Sequence, residues 1–151
     1  MKKMTKEQYA AEQLKILANS ITQKCDRENI KVLGISTSLP DQMLPKKLLD
    51  EMINYLKKEN KKIGSIEFDS SSISDVSGFA EQVGEAAKEN DYVLVLLPTL
   101  RLYANAVLCS QKCDAVLLIE RYAFTCYKSF EKTLSLVKEN GIKILGAATC
   151  K

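Results

Sequence analysis

"IKVLGISTSLPDQMLPKK", residues 30–47, changes its period halfway along. As far as Thr37 it is a short apolar, β-branched run bounded by polar residues, the pattern of a strand covered on both faces. From Pro45 the chain reads "PKKLLDEMINYLKKEN" (45–60), with Leu48, Leu49, Met52, Ile53 and Leu56 at helical spacing and Pro45 suited to a first helical turn. A buried strand that hands over through a loop to an amphipathic helix is the first half of a parallel crossover unit, so residues 30–37 are expected to be a central parallel strand.

The alternation continues along the chain. Upstream, Tyr9, Leu14, Leu17 and Ile21 make one apolar stripe, predicting a helix over 5–24 with Thr5 and Gln8 as its capping box. Downstream come a strand at 62–68, a serine-rich loop "DSSSISDVSG" and a helix at 79–89. A strand at 91–98, a helix at 102–112, a strand at 114–120, a helix at 125–139 stopped by Asn140 and Gly141, and a last strand at 142–148 complete the pattern. Five strands alternating with helices predict an α/β fold, a three-layer α/β/α sandwich around a mostly parallel sheet. All 151 residues are expected to form a single domain, 1–151, with no internal repeat or linker.

Composition narrows the function. The chain is 46% hydrophobic and 27% charged, and no apolar run approaches the ~20 residues of a membrane span. The opening "MKKMTKEQYAAEQ" has no apolar stretch behind its lysines, so a signal peptide is not expected and the cytoplasm is the expected compartment. Five cysteines without a C-x-x-C pair, and no histidine, argue against structural zinc and a disulfide scaffold. Cys109 and Cys113 share a helix face by spacing and read as small buried thiols. Without histidine there is no Ser-His or Cys-His nucleophile, which excludes most hydrolase mechanisms. A net charge of +3 does not announce a nucleic-acid binder. Lys57, Lys58, Lys61 and Lys62, one helix length from Lys46 and Lys47, read as a solvated helix end, with a polyanion or membrane-surface patch as the sharper alternative.

In an open α/β sheet, ligands bind beyond the carboxyl ends of the strands, so the loop 36–46 stands where a phosphate loop would. A working loop of the form G-x-x-x-x-G-K-[ST] wraps phosphates in backbone N–H groups, with glycines for close approach, Lys for charge and Ser/Thr for magnesium. "ISTSLPDQMLPK" (35–46) has none of these at the needed places.

The chain nevertheless resembles the cytoplasmic domain of the bacterial tyrosine kinases (BY-kinases) of capsular and exopolysaccharide export, relatives of the MinD-type P-loop ATPases. That family reads approximately V-T-S-x-x-P-G-E-G-K-S-T at this loop. Alignment on the shared serine and proline puts Asp41 and Met43 at the glycines, Leu44 at the lysine and Pro45 at the magnesium-binding serine, with Ser38 in the same degenerate loop. "KKIGSIEFD" (61–69) is similar to K-R-V-L-L-I-D-A-D, with Glu67 and Asp69 at the two acidic positions. "DYVLVLLPT" (91–99) resembles D-Y-V-I-I-D-T-P-P, with Leu96 where the Walker B aspartate stands. "YANAVLCSQKCDAVLLIER" (103–121) keeps Asp114 and Arg121 but carries Asn105 for Asp. "EQLKILANSI" (12–21) is similar to the ring-forming helix motif E-x-x-R-x-x-R, with Glu12 kept, Lys15 for Arg and Ala18 at the second Arg.

The resemblance spans about residues 12–149 and implies a P-loop NTPase-like (Rossmann-like) fold. The replaced loop positions argue against ATPase or kinase activity, since one lysine-to-phosphate contact alone is worth roughly 4 kcal/mol at an effective dielectric near 20. What is expected is a catalytically inactive homologue with no cofactor and no metal. It would act as a regulatory or adaptor protein in capsule or exopolysaccharide biosynthesis. Its expected partners are a membrane chain-length regulator, an active kinase or copies of itself, with Glu12 and Lys15 as contact residues and membrane reached only through a partner. The alternative is a nucleotide-binding enzyme or sensor with a non-standard phosphate loop, formed by residues 36–46, Glu67 and Asp69. An unrelated flavodoxin-like binding module is the third reading. Tyr92, Tyr103, Tyr122 and Tyr127 read as packing residues, and Glu67 and Asp69 as solvated or capping carboxylates.

Overall fold

Every residue of the central strand β1 (Val32–Ser36) is buried, which is the fate of an apolar run flanked by strands and covered on both sides. The structure, a computed structural model, describes residues 3–68, 76–122 and 125–150. Within them β1, β2 (Ile63–Glu67), β3 (Tyr92–Leu96), β4 (Ala115–Arg121) and β5 (Ile144–Cys150) form one parallel sheet in the order β2-β3-β1-β4-β5. The predicted α/β sandwich is the observed one. Register follows the alternation of side chains: Gly34 is paired with Val95 on one side and Val116 on the other. A Cβ on Gly34 would stand 3.0 Å from Leu97 Cδ1 and 3.2 Å from Cys113 Sγ, so a side chain here would press these neighbours back by a few tenths of an ångström.

Two apolar clusters cover the sheet. Leu33, Ile35, Leu94, Leu96, Leu117 and Ile119 meet α1 (Lys6–Glu28) and α2 (Met43–Lys58) through Ala18, Ile21, Leu49, Met52 and Leu56. Val93, Val95, Leu97, Val116 and Leu118 meet α3 (Val76–Glu89), α4 (Ala104–Ser110) and α5 (Tyr127–Glu139) on the other face. The chain therefore leaves β1 toward one face and its neighbours β3 and β4 toward the opposite face. That divergence opens the switch-point crevice at which α/β sheets bind ligands, and the loop after β1 stands over it.

Element boundaries shift in ways the residues explain. The capping box forms as predicted, Thr5 Oγ1 accepting from Gln8 N–H at 3.1 Å and Gln8 Oε1 from Thr5 N–H at 2.9 Å. The helix runs to Glu28 rather than Lys24, because Cys25 continues the buried stripe and only Asn29, at φ 58°, turns the chain out of the helix. In α2 the first turn begins at Met43, two residues before Pro45, and the proline still sits inside that turn. No helix of the described residues is long and apolar enough to cross a membrane.

Candidate functional site

The loop after β1 is tied down by its own polar atoms. Ser38 and Glu120 are almost wholly buried, at 1% and 3% exposure. Glu120 Oε1 accepts from Ser38 N–H at 2.7 Å and Oε2 from Ser38 Oγ at 2.5 Å, while Thr125 Oγ1 donates to Oε2 at 2.9 Å. Arg101 donates to Ser38 O from Nε at 3.2 Å and Nη2 at 3.1 Å. Thr99 Oγ1 donates to Leu39 O, Ser36 Oγ to Pro98 O at 2.9 Å, and Gln42 Nε2 to Phe68 O at 2.8 Å. Thus the loop is pinned near the ends of β2, β3 and β4.

The loop's amides are largely spent. Residues 38–46 carry seven, since 40 and 45 are proline. Four of the seven donate within the chain: Ser38 to Glu120, Leu39 to Thr37 Oγ1, Met43 to Asp41 Oδ1 at 3.0 Å, and Lys46 to Gln42 O. Asp41 is an exposed carboxylate that closes a local turn on its own loop. Leu44 is half-buried against the cluster beneath α2, Pro45 is buried, and Met43 stands 77% exposed. Leu96 is buried in the same cluster as Leu44, at 3% exposure.

Glu67, at the end of β2, meets Lys46 Nζ at 2.7 Å, and Asp50 meets the same ammonium at 3.6 Å. The hydrogen bond to Glu67 raises the Lys46 pKa above its ordinary value. Lys46 is thereby engaged by two carboxylates in solvent, a geometry that contributes little to stability. Asp69 lies outside the described residues. Asp114, at the other end of the sheet, accepts from the N–H groups of Lys31 and Val32 at 2.9 Å each, closing the entrance to β1.

On α1, Glu12 and Lys15 pair with each other at 3.2 Å, both about half exposed. They occupy the first part of the helix, where Tyr9 is 60% and Ile16 57% exposed. Ala18 is fully buried against the sheet, so a long charged side chain at that position would have to enter the core. The tyrosines divide. Tyr92 packs and donates to Asp26 Oδ1 at 2.5 Å, and burial pushes its phenol well above the usual range. Tyr103, Tyr122 and Tyr127 are instead 38%, 66% and 72% exposed, contrary to the packing expected of them: Tyr122 stands just past the end of β4, Tyr103 caps α4 and Tyr127 opens α5. Lys57, Lys58, Lys61 and Lys62 are all exposed, as a solvated helix end requires.

Sequence reasoning anticipated the loop after β1 but missed Glu120, Arg101 and the Lys46–Glu67 pair. One signal was available. A glutamate inside "AVLLIE", a strand otherwise buried on both faces, must find donors, and the nearest loop is the one that leaves the adjacent strand.

No protein-family model matches the chain. Among solved structures, it is similar to the kinase domain of the Escherichia coli tyrosine kinase ETK (TM-score 0.80, 14% identity, covering 93% of this chain and 74% of that one). It is likewise similar to the BceF tyrosine kinase domain (TM-score 0.81, 11% identity, 92% and 76% covered). The VpsO kinase domain matches over 96% of this chain and 97% of its own (TM-score 0.77, 10% identity). The fold is therefore that of a bacterial tyrosine kinase domain.

Proposed function

We propose that this chain is a catalytically silent relative of the polysaccharide-associated tyrosine kinases and works by protein contact. On this reading residues 1–151 act as one unit, a regulatory or adaptor protein in capsule or exopolysaccharide assembly. The observation that carries it is the chemistry of the loop after β1: an apolar Leu44 turned toward the core, a proline with no N–H at 45, and amides already engaged by the chain's own oxygens. These residues do not fit a magnesium–nucleotide. Phosphoryl transfer depends on positioned charge around the phosphates and the metal. Here Leu44, Pro45 and the buried Leu96 offer no cation, no hydroxyl and no carboxylate at the positions that align with the family's.

The exposed first part of α1 supports the contact reading. Tyr9 and Ile16 lie seven residues apart, hence on one helix face, and Glu12 and Lys15 are solvent-accessible beside them. The partner is a membrane-anchored chain-length regulator, an active kinase or a second copy, and the protein reaches the inner face of the membrane through it. Rim charges such as Glu12 and Lys15 set specificity more than affinity.

Calorimetric titration with ATP, GTP and their magnesium complexes tests the silent reading. Heats that fit a dissociation constant no tighter than about 1 mM are expected, and submillimolar binding would transfer the loop to the nucleotide-sensor alternative. Affinity capture from the native cell tests the assignment. Envelope-polysaccharide proteins are the expected catch, and a catch of ribosomal or metabolic enzymes in their place would overturn it.

A further inference from the structure

We propose that Glu120 is the loop's built-in anion: a buried carboxylate that fills the cradle from within, fixes its conformation and shuts phosphate out. The inference rests on the reading that the loop takes up no nucleotide, and it names the device that makes this so. A phosphate loop presents amide and hydroxyl donors that converge on an oxyanion. In this chain the converging donors are Ser38 N–H, Ser38 O–H and Thr125 O–H, and the oxyanion they meet is the Glu120 side chain. Arg101 grips the carbonyl of the same Ser38, so both sides of that peptide segment are held. Asp41 does for the Met43 amide, at the far end of the loop, what Glu120 does at the near end.

The placement of Glu120 argues for a dedicated role. It is the last buried residue of β4, and the six positions from Ala115 to Glu120 are all buried, so a carboxylate there is costly unless its acceptors are met. Thr125 also accepts from Arg121 N–H at 3.0 Å, which anchors the turn that presents its hydroxyl to Glu120. A phosphate brought to the Ser38 amide would have to displace this carboxylate or lie against it, two like charges within a few ångströms.

Two variants of the full chain test the proposal, read by amide hydrogen exchange at Ser38 and by thermal midpoint, with acetate and inorganic phosphate as probes. In Glu120→Val the side chain fits a doubly buried strand but accepts nothing. Exchange at Ser38 is expected to quicken by about tenfold or more, the loss of one charge-assisted hydrogen bond, with no response to either anion. In Glu120→Ala space is left, and acetate or phosphate is expected to slow the exchange again and raise the midpoint. Neither anion is expected to do so in the unaltered chain. Exchange in a folded Glu120→Val within about twofold of the unaltered chain would overturn the proposal, and so would a Glu120→Ala variant indifferent to both anions. Should the alanine variant not fold, the valine variant decides alone. Magnesium-ATP separates this proposal from the reading beneath it. Submillimolar binding by the unaltered chain that tightens in Glu120→Val sinks the silent reading and keeps the built-in anion, whereas binding indifferent to the substitution sinks both.

Discussion

Replacing Leu44 by lysine returns to the loop the one cation its alignment with the kinases lacks, and the structure predicts that almost nothing is gained. A lysine about 4 Å from a phosphate, at an effective dielectric near 20, is worth roughly 4 kcal/mol, or about a thousandfold in affinity. Three features, the first two present in the unaltered chain as well, keep a phosphate from coming within that distance, so the gain is not realised. The Glu120 carboxylate, hydrogen-bonded to the first loop amide, repels an anion at a similar distance by a similar amount, roughly 4 kcal/mol per unit charge. Pro45 offers no N–H, and a missing donor costs about 1–3 kcal/mol. Leu44 also leaves the cluster beneath α2, which weakens the first turn of that helix. The expected change in the magnesium-ATP dissociation constant is therefore under about tenfold, measured by calorimetry with thermal midpoint as a control for folding. A gain of a hundredfold or more in Leu44→Lys alone would refute the reasoning, because the cradle would then have been intact and short only of its charge. Adding Glu120→Val to Leu44→Lys is expected to recover part of the missing affinity.

Asp114→Ala leaves the amides of Lys31 and Val32 without their shared acceptor and is expected to cost about 2–4 kcal/mol in urea denaturation, Asp114→Asn about half as much. An unchanged midpoint would mean that this acid, kept from the kinase pattern, serves something other than folding. Phe79→Ala empties a site 1% exposed and removes an edge-to-face contact with Phe68 at 4.8 Å. A loss of about 3–5 kcal/mol is expected, and one below about 1 kcal/mol would show that the cluster under α3 collapses to fill the space. Thiol labelling against pH should separate the cysteines. Backbone N–H groups of Ser129 and Lys128 lower the pKa of the exposed Cys126, whereas burial pushes Cys25 up to about 11 and Cys113 up to about 12. The thiolate is the reactive form, so Cys126 should be alkylated first and reach half its maximal rate below the ordinary thiol pKa of 9.0. Equal labelling of Cys113 in the folded chain would contradict that order.

How much of this was legible in the sequence depends on whether a residue's fate is set by its neighbours in the chain or across the sheet. Periodicity is a local property, and it predicted all ten elements, the capping box at Thr5 and the burial of β1 on both faces. Ends were less legible. Whether α1 stops at Lys24 or at Glu28 is decided by Cys25 finding the core and by the left-handed turn at Asn29, neither of which a stripe of leucines and alanines specifies. Tyr103, Tyr122 and Tyr127 show the same limit, since an amphipathic ring at a strand end or helix start packs or not according to how the adjoining loop runs. The loop's residues were visible as letters. Their partners were not, because Ser38 and Glu120 stand 82 positions apart and are brought together only by the pairing of β1 with β4.

That pairing also bears on how the fold tolerates the proposed loss of its ligand. A phosphate cradle without phosphate leaves backbone donors beside a buried strand end, and each one left unmet costs about 1–3 kcal/mol. Here Ser38, Leu39 and Met43 have their amides met by Glu120, Thr37 and Asp41, so these loop donors are satisfied with nothing bound. Stability should then be nearly independent of nucleotide: at a ligand concentration equal to a millimolar dissociation constant, linkage supplies only about 0.4 kcal/mol. A kinase domain whose loop waits for its substrate must gain more than this on binding. On the proposed reading the interior of this chain takes the part the substrate would play, which would leave the surrounding surface to be read by another protein in one fixed shape.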